Sequence, residues 1–91
     1  MFEPSLELAS ASHQFRGARK RWPKDYEELS GFLKESDDEK FMQLQAVRFH
    51  SIRFAELPDG KLKIDADYSV DSANVRIDGM QLTAFDIDDT N

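Results

Sequence analysis

The chain has 91 residues, and its 18 acidic and 12 basic side chains give a formal net charge of −6. This length suits one domain, so we expect a single core across residues 1–91. The sequence contains no cysteine, which excludes disulfides and thiolate metal sites. It has no apolar run of roughly 20 residues and no signal-peptide pattern, which favours a soluble, cytoplasmic chain with no membrane partner.

A first helix is predicted from about Pro4 to Arg21. Pro23 ends the helical pattern, because proline cannot continue a helix and disfavours helical backbone in the residue before it. His13 lies off the apolar face and is expected to be exposed. That face is a stripe with alternating spacings of three and four residues, made of Leu8, Ala11, Phe15, Ala18 and Trp22.

Two shorter helices are predicted to follow, so that residues 4–45 are largely helical. Asp25 is placed to cap the second helix, with Glu28 three positions later in a spacing like that of a capping box. Ser36 and Glu39 repeat this spacing and predict a third helix through residue 44. The apolar side chains expected to face the core are Tyr26, Leu29, Phe32 and Leu33, then Phe41 and Leu44.

The period changes from helical to alternating at residue 47, which predicts strands over residues 47–85. The segment 58–60 is Pro-Asp-Gly, a sequence typical of a tight turn, and it predicts a first hairpin. A bulge is expected near His50 and Ser51, because the apolar residues before them have the opposite parity. Pairing of Leu57 with Lys61 sets the register and places Phe54 opposite Ile64, Ile52 opposite Ala66, Arg53 opposite Asp65 and His50 opposite Tyr68.

A second hairpin is predicted at Asp78-Gly79, a dipeptide preferred in two-residue turns. It pairs Ile77 with Met80 and Val75 with Leu82, and residues 71–74 connect the two hairpins. The predicted fold is therefore α+β, with the N-terminal helix and one or two short helices on one face of a four-stranded antiparallel sheet made of two hairpins. Residues 86–91 are predicted to form an acidic tail.

Five basic residues crowd the end of the first helix and are the candidate partner-binding residues. They could bind an acidic partner or a phosphate, or they could simply complement the helix dipole and face solvent. A phosphate site would more naturally use a helix N-terminus and a glycine-rich loop, and neither is found there. The five residues are Arg16, Arg19, Lys20, Arg21 and Lys24.

Asp65, Asp67 and Asp71 resemble the start of a carboxylate cage for calcium. A calcium loop would need glycine at its sixth position, where this sequence has Val70, so the acids are more simply explained as outward-facing side chains. The two histidines lie far apart and give no zinc spacing. No nucleophile elbow, phosphate loop or dinucleotide fingerprint is present, so no catalytic residue, metal ligand or cofactor is assigned.

The spacing Phe15-x6-Trp22-Pro23-x5-Leu29 resembles the segment of type IV pilins and type II secretion pseudopilins in which the long first helix ends. The resemblance covers residues 8–33 and implies a small antiparallel sheet packed on that helix. The apolar first half of the family's helix and its leader-cleavage motif have no counterpart in this sequence. The resemblance therefore implies a soluble or truncated relative without a membrane anchor.

These features favour a small, soluble, non-enzymatic domain that works by contact with a protein partner, as a monomer or a homodimer. The expected contact surfaces are the basic helix end and the edge strands of the sheet. Two alternatives stay open: a pilin-like or pseudopilin-like accessory domain of a secretion system, and an acid-rich domain that binds a metal ion or a small molecule. Since acids and bases balance in residues 1–55, the excess negative charge lies in residues 56–91 and argues against a nucleic-acid partner.

Overall fold

A computed structural model describes residues 4–83, which form three helices followed by three strands. The strands make one antiparallel sheet in the order β1-β2-β3, which confirms the α+β class. None of the helices in this range has the length and apolar character needed to cross a membrane. The elements are α1 (Pro4–Arg19), α2 (Tyr26–Ser36), α3 (Asp38–Gln45), β1 (Arg48–Glu56), β2 (Leu62–Val70) and β3 (Ala73–Leu82).

The core lies between the helices and one face of the sheet, called here the inner face. Along β2, buried residues alternate with half-buried ones, as expected for a strand that has one face covered and one face open. The open side is called the outer face. The largest fully buried apolar side chains come from both layers and are Phe15, Leu8, Leu29, Leu33, Leu44, Leu62 and Ile64.

Helix α1 ends two residues earlier than predicted. Lys20 has a φ of 65°, and its N–H donates to the carbonyl of Arg16 at 2.9 Å, which closes the last turn. The predicted stripe is buried at Leu8, Ala11 and Phe15, and Ser12 is buried on the same face, whereas the predicted burial of Ala18 is wrong. The helix therefore contacts the core as far as Phe15, and residues 17–19 at its end are exposed.

Trp22 lies beyond the end of α1, where the chain turns back toward the sheet. Its ring is buried, and its indole N–H donates to the carbonyl of Gly60 at 2.7 Å. His13 packs beside it, with the two ring centroids 5.7 Å apart. The prediction that His13 is exposed is therefore wrong: it is half-buried, because the chain reversal after α1 brings Trp22 against it.

Aspartates cap both short helices. Asp25 accepts a hydrogen bond from the N–H of Glu28 at 2.8 Å, as predicted for α2. The cap of helix α3 lies one position later than the predicted cap at Ser36, because Asp37 takes that role and accepts from the N–H of Lys40 at 3.1 Å. The N–H of Asp37 also closes α2 by donating to Leu33 at 2.8 Å. One residue thus serves two helix ends.

The first hairpin has the predicted register over most of its length: Phe54 pairs with Ile64, Ile52 with Ala66 and Arg53 with Asp65. The predicted bulge is confirmed between Phe49 and Ser51. The predicted pairing of His50 with Tyr68 is wrong, because the bulge uses His50 as the extra residue. Phe49 pairs with Tyr68 instead, and the His50 side chain reaches Ser69.

The second predicted hairpin is wrong, and residues 4–83 contain three strands rather than four. Asp78 and Gly79 lie inside β3, where a register shift opposite Asp65 marks a bulge. Gly79 has a φ of 71°, and its N–H donates to the Asp65 carboxylate at 2.7 Å. A bulge of this kind favours glycine for the same reason that a tight turn does.

The turn between β2 and β3 is formed instead by Asp71 and Ser72, which have φ values of 51° and 72°. Two successive residues with positive φ are typical of a two-residue hairpin turn. The predicted pairs Ile77–Met80 and Val75–Leu82 are replaced by Ile77–Ala66 and Val75–Tyr68. The predicted strand residues 84–85 and the predicted acidic tail 86–91 lie outside the described residues.

Candidate functional site

The five predicted basic residues lie close together and are called here the basic corner; four of them are exposed and Arg16 is half-buried. They are Arg16, Arg19, Lys20, Arg21 and Lys24. They occupy the last turn of α1 and the segment that leads into α2. Arg16 helps to shape this segment, because its Nη1 donates to the carbonyl of Lys20 at 2.9 Å. Cations at a helix C-terminus are also favoured by the helix dipole.

Three arginines of the basic corner lie over aromatic rings. The guanidinium carbon of Arg16 is 5.6 Å from the ring centroid of Trp22, and that of Arg19 is 5.5 Å from the ring of Phe32. Arg21 lies 5.2 Å from the ring of Phe15. These are cation–π distances, at which the positive guanidinium is attracted by the electron-rich face of the ring.

Among residues 4–83, Arg21 is the one member of the basic corner that forms an ion pair. It binds Glu28 through two hydrogen bonds of 2.6 and 3.0 Å, and the same carboxylate accepts the N–H of Lys24 at 2.7 Å. These bonds, that from Arg21 foremost, lower the pKa of Glu28 to about 2. Glu28 is therefore ionised at neutral pH, and it balances one of the five positive charges.

The basic corner therefore combines fixed geometry with excess positive charge. The ring contacts hold three cations in place, and within residues 4–83 one carboxylate is paired to the surface. Such a surface attracts an acidic group over a long range and offers arginine N–H groups for charge-assisted hydrogen bonds. The sequence revealed the cluster of charges but not the rings beneath the arginines. Phe32, for example, lies in the next helix and contacts Arg19 only in the folded chain.

The three candidate calcium ligands have separate roles in the structure. Asp65 accepts the Gly79 N–H, and Asp67 accepts Nε of Arg76 at 3.0 Å. Asp71 lies in the turn between β2 and β3. Asp65 and Asp67 share the outer face, being two positions apart on one strand. Within residues 4–83, no three acidic or histidine side chains are arranged to hold a metal ion.

The outer face also carries a hydrogen-bonded chain that the sequence analysis missed. His50 Nε2 lies 2.6 Å from Ser69 Oγ, and that hydroxyl donates to Asn74 Oδ1 at 2.7 Å. The direction of the His50–Ser69 bond follows from the tautomer of the imidazole. The bulge that moves His50 was the only available signal of this contact.

Strands β1, β2 and β3 also line a groove of about 480 Å³, bordered by His50, Asp67, Tyr68, Asn74, Val75 and Arg76. Two of these residues, Asp67 and Arg76, form an ion pair. The polar groups here mostly bond to one another, whereas the cations of the basic corner mostly lack a counter-charge among the described residues. The basic corner is therefore the better candidate for a binding surface.

Comparison of the chain with protein-family models, with curated proteins and with solved structures finds no match. A function is therefore inferred from the geometry of the chain itself.

Proposed function

We propose that this chain is a small non-enzymatic interaction domain whose basic corner binds an acidic segment of a partner protein. The observation that carries the proposal is the placement of Arg16, Arg19 and Arg21 over three aromatic rings at cation–π distances. These arginines and two neighbouring lysines lie within nine consecutive positions of the chain, and one carboxylate is paired to them among residues 4–83.

The ring contacts support binding because they reduce the side-chain entropy that the arginines lose when a partner arrives. Fixing a long, free side chain at an interface costs about 0.5–1.5 kcal/mol, and an arginine already held on a ring loses less. Arg21 already uses its two Nη groups on Glu28, and Arg16 uses Nη1 on the Lys20 carbonyl. The guanidinium of Arg19 and the remaining N–H groups of Arg16 are therefore the ones that match the two oxygens of a carboxylate. A partner rich in Asp or Glu therefore fits both the charge and the shape of this surface.

The charge distribution of the whole chain favours a protein partner over a nucleic acid. The net charge is −6, and the negative excess lies in residues 56–91. A nucleic acid carries closely spaced negative phosphates along its whole length. Beyond the basic corner, these phosphates would be repelled by the acidic residues of the chain. A short acidic peptide segment can pair with the corner without approaching the acidic part of the chain.

Fluorescence anisotropy with a labelled hexaglutamate peptide tests this proposal at moderate salt, where charges far from the binding surface are screened. The test variant is Arg19→Gln/Lys20→Gln/Lys24→Gln, which keeps the Arg21–Glu28 ion pair. We expect its affinity for the peptide to fall by roughly tenfold or more, because three cations of the basic corner are lost.

The matched control is Lys34→Gln/Arg48→Gln/Arg53→Gln, which removes three exposed positive charges from α2 and β1. This control has the same net charge as the test variant, so long-range attraction falls equally in both. We expect its affinity to stay within about twofold of the unmodified chain at moderate salt, where distant charges are screened. Equal losses in the two variants, or no binding by the unmodified chain, would contradict the proposal.

A second candidate function, an accessory role in a secretion system like that of pilins and pseudopilins, is favoured by one observation. The Trp22–Pro23 step that carries the resemblance is buried and is bonded to the β1–β2 turn. The step thus fixes the end of the first helix against an antiparallel sheet. An apolar segment encoded in frame upstream, with secretion genes nearby, would support this role; the absence of both would count against it.

A further inference from the structure

Strand β3 has an unpaired edge. It pairs with β2 from Ala73 opposite Val70 to Leu82 opposite Leu62, and no described residue pairs with its other side. The first four residues of β3, 73–76, are all exposed. Helix α2 packs against β1, at the opposite edge of the sheet. A second strand therefore has access to the first half of β3.

The hairpin turn determines which backbone groups this edge presents. In a two-residue turn the flanking residues, here Val70 and Ala73, form a hydrogen-bonded pair. Bonded and non-bonded pairs alternate along an antiparallel ladder, so Val75 is again bonded to β2. The N–H and C=O groups of Asn74 and Arg76 consequently point away from β2, toward the free edge.

An apolar side chain lies between these two residues. Val75 faces the same side of the sheet as Tyr68, its partner on β2. Tyr68 is only 4% exposed, whereas Val75 is 39% exposed and is one of three large apolar side chains that are exposed within residues 4–83. Of these three, Val75 is the one that lies on a strand edge with outward backbone groups on both sides.

We propose that a second copy of this chain binds here, pairing the two β3 edges antiparallel about a two-fold axis that passes between the two Val75 residues. Asn74 then lies opposite the partner's Arg76, and each pair exchanges two backbone hydrogen bonds, giving four in all. The two Val75 residues form a non-bonded pair, the closer of the two kinds, so their side chains cover each other.

The charges of this edge are compatible with self-pairing. Arg76 meets the amide side chain of Asn74 rather than another cation, and its own charge is already paired with Asp67 at 3.0 Å. The bulge at Gly79 ends the regular edge after about five residues. The contact is therefore small, and we expect a weak, reversible dimer rather than a permanent one.

Sedimentation velocity on the full chain tests this proposal between about 10 μM and 1 mM, the range in which a weak dimer forms. We expect the weight-average sedimentation coefficient to rise with concentration. The variant Val75→Lys should stay monomeric across this range, because it sets two cations directly opposite each other. The position is partly exposed, so the fold should tolerate the change, and circular dichroism checks that it does.

The matched control is Met42→Lys, which adds the same charge at an exposed apolar residue of α3. It should associate like the unmodified chain. A monomer at the highest concentration, a Val75→Lys variant that still associates, or equal loss in both variants would overturn the proposal. Binding of an acidic peptide at the basic corner should be equal in Val75→Lys and Met42→Lys, which carry the same added charge, so the two proposals can fail separately.

Discussion

The indole N–H of Trp22 donates a hydrogen bond to the carbonyl of Gly60 at 2.7 Å, across 38 positions of the sequence. This contact fixes the end of α1 against the turn between β1 and β2. Gly60 has a φ of 87°, a conformation that glycine adopts without strain, and this turn aims its carbonyl at the ring. The bond therefore couples the position of the basic corner to the hairpin.

Substitution at Trp22 separates the contribution of the hydrogen bond from that of the ring. Trp22→Phe keeps an aromatic ring but removes the N–H, and we expect a loss of about 1–2 kcal/mol in the free energy of unfolding. Trp22→Ala removes the buried ring as well and should cost about 3–5 kcal/mol. Urea unfolding followed by circular dichroism measures both. A loss below about 1 kcal/mol for Trp22→Ala would mean that the ring does not stabilise the core.

Removal of the Glu28 carboxylate should destabilise the protein in a pH-dependent way. The pKa of Glu28 in the folded chain is about 2, below the value of about 4.3 for an unfolded chain. The stabilisation is therefore fully present above pH 4.3 and is lost as the pH falls toward 2. We expect Glu28→Gln to cost up to about 1 kcal/mol at pH 7, since the pair is partly open to solvent.

Unfolding of Glu28→Gln across this pH range measures that dependence, with Glu27→Gln as its control. Glu27 lies in the same first turn of α2 and is exposed, so it shares the helix-dipole contribution but not the bond to Arg21. The difference between unmodified protein and Glu28→Gln should vanish near pH 2. A difference that is independent of pH, or equal for the two variants, would show that the ion pair is not its source.

Two glycines should respond to alanine in opposite directions. Gly79 has a φ of 71° in the β3 bulge, so Gly79→Ala should cost about 1–2 kcal/mol even though the nearest atoms leave room for a methyl group. Gly31 lies within α2 with nothing near its Cβ position, so Gly31→Ala should stabilise the protein by about 0.5–1 kcal/mol. Thermal unfolding of both variants measures this. Tolerance of alanine at position 79 would argue against the bulge.

Calcium is expected to leave the outer face unchanged. Asp65 and Asp67 are already bonded to Gly79 and Arg76, and a metal ion would have to replace those bonds. Titration with calcium to about 5 mM, beyond the range of weak extracellular sites, should therefore leave the amide NMR shifts of Asp65, Asp67 and Asp71 in place. Saturable shifts at all three would favour the alternative of an acid-rich binding domain.

Sequence patterns predicted those parts of the fold that depend on local signals. The Asp25 cap and the Pro58-Asp59-Gly60 turn each need only a few adjacent residues, and the turn then set the register of β1 on β2. The hairpin predicted at Asp78-Gly79 was wrong because a tight turn and a bulge both favour a glycine with positive φ. What decides between them is pairing with β2, which is a long-range contact that the dipeptide does not encode.

The candidate site was predictable to a similar extent. The five basic residues lie close together in the sequence, so their grouping was visible from spacing alone. Their fixed geometry was not, because the ring under Arg19 belongs to Phe32 in the next helix. The predicted register was wrong by one residue at His50. The approximate position of the bulge was predicted, but its exact position decides whether His50 or Phe49 pairs with Tyr68.

Amide NMR mapping of an acidic peptide on the full chain tests the central claim most directly. Titration with hexaglutamate should shift the amides of residues 16–24 and of Glu28, since these form and border the basic corner, and the shifts should weaken as salt is added. The amides of β3 and of the outer sheet face should stay in place. Shifts centred on the sheet instead, or no shifts at all, would contradict a protein-binding role for the basic corner.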